Sequence, residues 1–542
     1  MAGSKQCIID VDLATIVSAA ADGKFIRMQA WGDEVEVLNY DDIENGTARH
    51  VEVRVFKFVK QDEGYKPVAA SGFIVSKSVK PADVVRPKEA DDVLKCNFVD
   101  VQQGDGSVIE TPKGKVMLVD GGDNVMFARY LASRFRGTTE EKPRDVECVL
   151  VTHGDADHFQ GLTEISKSEK LSRSWQRLFI DPKRVYHNGL VKRPGKIGAR
   201  KRRETEMLGA TETVKDPATN KNITLLTELE SDLLEVADEK MNEPFRAWKS
   251  ALKAYNVRRT KTGAAAIEFR RLEKGDSDAF DFLAEENIKI EVLAPIPVET
   301  ATVKGLKFLG EPPKGPRIGQ ESLQLDGGEF KGKSASHTIN GHSIVFRLTY
   351  GRFNFLFTGD LNDEAARVLT RAHNSGELNL QAEVFKVPHH GSADFSGALL
   401  QAVSPVISII SSGDESARKE YIHPRATLVG ALGKYSRVEE PLIFVTEMVA
   451  FFEVVGKVRP EFHSLDENDV CEIGADGLAV VNKKAAKAFF AFSRTEYGIV
   501  KIRTNGRRLL VYTNSGQSDL KEAYAYEVDE SGKVRPSPVR KV

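Results

Sequence analysis

A chain of 542 residues is too long for one ordinary core, and at about 150 residues per domain it suggests roughly three or four. Its 41% hydrophobic and 29% charged residues match globular proteins and exclude a fibrous or wholly disordered class, while a formal charge of -2 excludes a uniformly basic coat but not a local patch. Cys7, Cys96, Cys148 and Cys471 show no C-x-x-C spacing and read as reduced thiols. The amino terminus has no apolar stretch before Asp10, and no run of about 18 apolar residues occurs anywhere. The expectation is a cytoplasmic protein with no membrane association.

In chain order, residues 1–88 carry strand-like runs such as Val51–Phe56 and Gly72–Val75, and predict a small β-rich unit. A linker with two prolines follows near residues 80–89. Residues 89–460 alternate strands and helices. Val116–Val119 and Cys148–Val151 read as buried strands, and between them Asp123 is a candidate cap for a helix with Phe127, Leu131 and Phe135 on one face. Ile288–Leu293, a hairpin from Ser343 to Phe357 turning at Gly351, Glu383–Val387, Pro405–Ile410 and Leu442–Val445 continue the β content. A charged segment at about 165–285, with a long helix expected from Leu226 to Tyr255, reads as an insertion. Residues 461–542 return to strands, two of them joined by Asn505-Gly506, and predict a β-rich terminal unit. The terminal β units are candidate surfaces for protein partners. The whole predicts a layered α/β architecture.

Chemistry gathers at three strand ends. Val149-Leu-Val-Thr runs directly into His153, Asp155, Asp157 and His158, a mixture of imidazoles and carboxylates that suits divalent metals. Leu356-Phe-Thr-Gly359 ends in Asp360, a carboxylate placed to bridge cations, and Glu383–Val387 leads through Pro388 into His389 and His390. Each segment alone also reads as a polar turn. Together they form a set.

That ordered set, H-x-D-x-D-H, then T-G-D, then V-P-H-H-G-S, resembles the metallo-β-lactamase superfamily, and within it the nuclease-like domain of bacterial competence DNA-uptake proteins. Supporting matches are Phe98–Asp105, Leu118–Gly122, Val292–Pro295 and Ser411 to Pro424. The resemblance implies an αββα sandwich over about residues 95–450. It implies two divalent ions, Zn²⁺ or Mn²⁺, held by His153, Asp155, Asp157, His158, Asp360 and His389 or His390, with Asp360 as the bridge. A water activated by the metals would be the nucleophile, Asp157 would help to orient it, and His423 would assist the leaving group or contact phosphate. Gln102, Gly106 and Gln160 depart from the family pattern. A third histidine for the first metal has only weak candidates in His187, His337 and His342. The resemblance does not extend to the membrane channel of the competence proteins, since no spanning segment is expected in this sequence.

Residues 183–203 contain Lys192, Arg193, Arg200, Lys201, Arg202 and Arg203 among nine basic side chains and no acidic one. Such a run attracts phosphates, so the leading expectation is a phosphodiesterase or nuclease acting on DNA or RNA. A hydrolase of a small phosphoester, cyclic nucleotide, lactone or thioester is the alternative, and a non-catalytic nucleic-acid or partner-binding platform is the third reading.

Overall fold

Two sheets are driven together because the side chains on their facing sides are apolar. In the computed structural model, which describes residues 4–61, 64–311, 330–413, 423–447, 457–458, 471–473, 479–481, 498–513 and 522–542, the strands Leu94–Phe98, Gly106–Glu110, Val116–Asp120 and Cys148–Leu150 are buried at every position. They are the centre of a ten-stranded sheet. A six-stranded sheet faces it, built from Ile288–Ala294, Val345–Tyr350, Phe353–Phe357, Val384–Lys386, Ile407–Ile410 and Leu442–Val445. Phe98, Met117, Phe346 and Phe355 lie in the core between the sheets, and Phe346 stacks on Phe357 with ring centroids 4.6 Å apart.

Helices cover both outer faces. Met126–Arg134, Ala156–Ser168 and Glu243–Lys261 pack on the first sheet through Phe127, Phe159, Phe245 and Trp248. Asp363–Asn374, Gly397–Val403 and Ala426–Tyr435 pack on the second through Leu369, Leu400 and Leu432. The order helix, sheet, sheet, helix is the αββα sandwich expected from the resemblance.

Three local expectations need revision. Asn124, not Asp123, accepts the backbone N–H of Met126 at the start of the first helix, at 2.8 Å. The long helix begins at Glu243 rather than Leu226, because Asn242 accepts the N–H of Phe245 at 3.1 Å and Pro244 sits in the first turn, where a missing N–H does no harm. Residues 222–226 before it are a strand. The segment at 165–285 also does not stand apart from the sandwich. Its strands Arg184–His187 and Glu268–Arg271 complete one side of the ten-stranded sheet, and its helix covers that sheet.

The ends of the chain are tied to this body. Residues 5–87 form a seven-stranded sheet with its own core around Ile9, Val37 and Val53. The described strands near the carboxyl terminus, Val500–Thr504, Arg508–Thr513, Ala523–Val528 and Val534–Ser537, do not form a sheet of their own. They continue the ten-stranded sheet, with Val500–Thr504 paired antiparallel to Leu94–Phe98. The physical reason is that a strand buried at every position, as Leu94–Phe98 is, makes a poor sheet edge and is stable only when paired on both sides. Asp12 of the amino-terminal unit is fully buried against Arg508, 2.6 Å away, and Arg540, and the N–H of Val542 donates to the carbonyl of Leu13 at 2.9 Å.

Among the described residues no helix is long and apolar enough to cross a membrane.

Candidate metal centre

The strand ends do converge. Cys148–Leu150 delivers His153, and the helix Ala156–Ser168 starts immediately after, so Asp157 and His158 sit in its first turn. This helix lies hard against the backbone after Val116–Asp120: the N–H of Gly121 donates to the carbonyl of His158 at 2.7 Å, and a Cβ on Gly161 would lie 2.0 Å from the carbonyl oxygen of Gly121. Only glycine at 161 permits that approach. Phe353–Phe357 delivers Asp360 through Gly359, and Val384–Lys386 delivers His390 through a turn in which His389, His390 and Gly391 all have positive φ. Three successive left-handed residues are costly for side chains with a Cβ and are held by the surrounding structure.

At the centre, Nε2 of His158 lies 3.2 Å and Nε2 of His390 3.3 Å from the carboxylate of Asp360. His390 Nε2 is also 3.5 Å from Asp157, and His153 Nε2 is 3.9 Å from Asp360. These nitrogens and Asp360 Oδ1 are buried without a hydrogen bond of proper geometry. Buried polar atoms are ordinarily satisfied, so a cluster of imidazole nitrogens around a carboxylate with no other hydrogen-bond partner has the donor set that fits a cation.

The other ring nitrogens are held from behind. His158 Nδ1 is 2.9 Å from Asp120, whose two oxygens accept the N–H and hydroxyl of Thr152 at 2.8 and 2.7 Å. His390 Nδ1 donates to the carbonyl of Ser411 at 3.1 Å and has Asp105 at 3.3 Å, and Asp105 is paired with buried Lys386 at 2.8 Å. Asp105 lies within 4.8 Å of the donor atoms of His158, Asp360 and His390. Its place beside Nδ1 and Lys386 nevertheless makes it an orienting partner, while Asp157 is on the Nε2 side with Asp360. Carboxylates behind ligating histidines fix the tautomer and raise basicity. Asp120→Asn is therefore expected to weaken metal affinity by about 10–100-fold with the fold retained, measured by competition with a chromophoric chelator.

Electrostatics point the same way. Burial opposes charge on His158, but Asp360 and Asp120 outweigh it and raise its pKa well above the ordinary range. His390 is likewise lowered by burial and raised more strongly by Asp360, Asp105 and Asp157. The carboxylates thus demand positive charge at this spot, whether from protons or from an ion. Burial and the neighbouring charge of His158 instead push His153 down to about 3, which leaves it neutral and fit to ligate.

Other expected site residues lie elsewhere. Asp155 is not in the cluster: it is paired with Lys192 at 2.6 Å. His389 follows the strand Val384–Lys386 directly before His390, with its backbone N–H on the carbonyl of Gly359 and its ring 6.4 Å from that of His423. Burial, His390 and His389 hold His423 down at about 3, so it is neutral at physiological pH. His187 uses both ring nitrogens on the backbone of Ser231 and Gly189. His342 bonds the carbonyl of Lys307, and His337 faces Asp394.

The basic stretch is largely paired. Arg193 meets Glu228 at 2.5 Å, Arg200 and Arg203 share Glu206, and Lys183 and Arg184 share Glu147. Lys196 and Lys201 stand exposed on a small hairpin, with Arg202 beside it.

Residues 99–237 match the model of the metallo-beta-lactamase superfamily. The chain carries a metallo-β-lactamase domain. The matched part of that domain includes His153 to His158, while Asp360 and His390 come from beyond it. Over 110 residues the chain is 34% identical to the protein named competence protein ComA of Neisseria gonorrhoeae, and over 98 residues 31% identical to ComE operon protein 3 of Bacillus subtilis. These stretches take in 19% and 18% of this chain and only 15% and 12% of those relatives. A solved structure titled a metal-dependent hydrolase of the β-lactamase superfamily aligns over 65% of this chain and 95% of its own, at 12% identity and a TM-score of 0.28.

Asp105, Asp120 and Lys386 are not marked as site residues by the sequence pattern, yet Asp120 and Asp105 stand directly behind the two imidazoles and Lys386 pairs with Asp105. For Asp120 a signal existed, since Val116–Asp120 is one more apolar strand ending in a carboxylate.

Proposed function

We propose that the metallo-β-lactamase domain makes this protein a metal-dependent hydrolase, and that its reaction is hydrolysis of phosphodiesters in nucleic acid. The observation that carries the reading is the buried group of His158, His390 and Asp360, with its orphaned nitrogens turned inward and Asp157 at its open side. A divalent ion held there, Zn²⁺ or Mn²⁺, would supply Lewis-acid activation of water and stabilise charge on the attacked phosphate.

The chain's own residues supply the rest. Asp120 and Asp105 keep the two imidazoles turned with Nε2 inward. Asp157 is partly exposed and within 3.4 Å of the Gln103 amide, a position from which its carboxylate can orient a water and take up a proton. Lys386 neutralises Asp105 and so limits the negative charge facing a phosphate. Among the described residues Cys7, Cys96 and Cys148 are buried free thiols, which suit a reducing compartment, in keeping with a cytoplasmic place of action.

The resemblance to the competence DNA-uptake branch, with the stretches shared with competence protein ComA and ComE operon protein 3, supports the reading of nucleic acid as substrate. The pairing of Arg193, Arg200 and Arg203 with Glu228 and Glu206 favours a second reading, a small phosphodiester, because it removes much of the charge that a polynucleotide would meet. Assays on linear DNA, RNA and a small aryl phosphodiester with Mn²⁺, Mg²⁺ and Zn²⁺ separate them. Cleavage of a polynucleotide that weakens with salt, and weakens further in Lys196→Ala/Lys201→Ala, is the expected result. Turnover of the small diester alone would move the assignment to the second reading, and turnover of none with an ion bound would leave a binding platform.

A further inference from the structure

The fold family implies two ions, yet the donors fall unequally between two positions. His158, His390, Asp360 and Asp157 face one another, and the orphaned nitrogens among them fit an ion. A second ion would need His153, Asp155, a shared Asp360 and a further histidine. Asp155 is already engaged on both oxygens: Oδ1 lies 2.6 Å from the ammonium of Lys192, and Oδ2 is 3.0 Å from the side-chain amide of Asn340 in the orientation that satisfies its surroundings. Both partners are fixed by the fold. The carbonyl of Lys192 accepts the N–H of Asn242 at the start of the helix Glu243–Lys261, and Asn340 belongs to the helix Ala335–Gly341.

The three histidines that the sequence offered for this position are engaged elsewhere. His187 and His342 are bonded to backbone, and His337 faces Asp394. An ion at Asp155 would therefore have His153 and Asp360 beside it and an ammonium against it. A divalent cation next to a fixed ammonium is repelled, and a partly buried site screens that repulsion poorly.

We infer that the centre holds a single resident divalent ion and that the Lys192 ammonium, paired with Asp155, takes the place of a second. This rests on the metal-dependent reading above and refines it. The charge that a second ion would bring to Asp155 is already brought by the protein, so Asp155 is a positioning residue for Lys192 rather than a ligand.

The test uses the full chain, stripped by chelator, loaded with Mn²⁺ and freed of excess by gel filtration. Metal per chain is counted by plasma mass spectrometry, and electron paramagnetic resonance reports whether the ions are isolated or exchange-coupled. The wild type is expected to hold one ion with the spectrum of an isolated centre, and Asp155→Asn to hold the same. Lys192→Met is expected to admit a second, weaker equivalent, because it frees Asp155. Two ions with an exchange-coupled spectrum in the wild type, falling to one in Asp155→Asn, would overturn the inference while leaving the hydrolase reading intact. A Lys192→Met protein that still holds one ion would overturn the role given to Lys192. A wild type that binds none would instead fail the metal-dependent reading itself.

Discussion

Asp360→Ala is expected to release the bound ion and to lower phosphodiesterase activity by at least about 10³-fold, since a metal's contribution to such a transition state is several kcal/mol. Asp360 is the carboxylate approached by His158 at 3.2 Å, His390 at 3.3 Å and His153 at 3.9 Å, so no other side chain can take over its place. Its loss also leaves buried imidazoles without the charge that raises His158 and His390, and a fall in stability should accompany the loss of activity. Metal content and thermal unfolding, measured on the same preparation, separate the two effects. Retained metal with normal activity would show that the ion is held by other residues.

The second large effect comes from a residue with no side chain. A Cβ on Gly104 would lie 1.8 Å from the backbone carbonyl oxygen of Asp157, and Gly104 has a φ of +98° that side chains rarely adopt. Gly104→Ala must therefore displace either the first turn of the helix that carries Asp157 and His158 or the loop that carries Gln103 and Asp105. A misplacement of about 1 Å at a reacting centre costs on the order of 10²-fold in rate. The expected result is a kcat lowered by about that factor with the overall fold kept. Gly430→Ala, where nothing lies within 4 Å of the added carbon, serves as the matched control and should be nearly silent. Equal activity in the two variants would contradict the placement of the Gly104 loop against Asp157.

Much of the fold was legible because its signals are short in range. An apolar strand that stops at a histidine or aspartate is visible within ten residues, and the ends at His153, Asp360 and His390 do meet. The sandwich follows from the same strands and the helices between them. What could not be read is what depends on distant partners. The acids that neutralise the basic run come from Glu147, Glu206 and Glu228, all outside residues 183–203, so the run looked more available to phosphates than it is. The strands at the carboxyl terminus looked like a separate unit because nothing local says that Val500–Thr504 pairs with Leu94–Phe98. There Arg503 donates to Asn97 at 3.0 Å, across 406 positions of sequence. Asp155 reads as a ligand by its spacing, and its partner Lys192, 2.6 Å away, comes from a different element and is not visible in that spacing.

Gln102 shows how a departure from the family pattern is accommodated. It sits at a φ of +63°, a conformation in which glycine is unstrained, and this accounts for the glycine more usual there. Its side-chain oxygen takes a hydrogen bond from Asn124 at 3.4 Å, and Asn124 also donates to the carbonyl of Val101 at 2.8 Å. The loop before Asp105 is thus held by side-chain bonds where the usual residue has none to make.

The most direct test of the central claim is the cleavage of linear DNA by the full chain before and after removal of metal, with Mn²⁺ or Zn²⁺ then restored and Asp360→Ala run alongside. Cleavage is expected to disappear with the ion, to return with it in the wild type and not to return in Asp360→Ala. Undiminished cleavage by the stripped protein, or equal recovery in Asp360→Ala, would contradict a metal-dependent reaction at this centre.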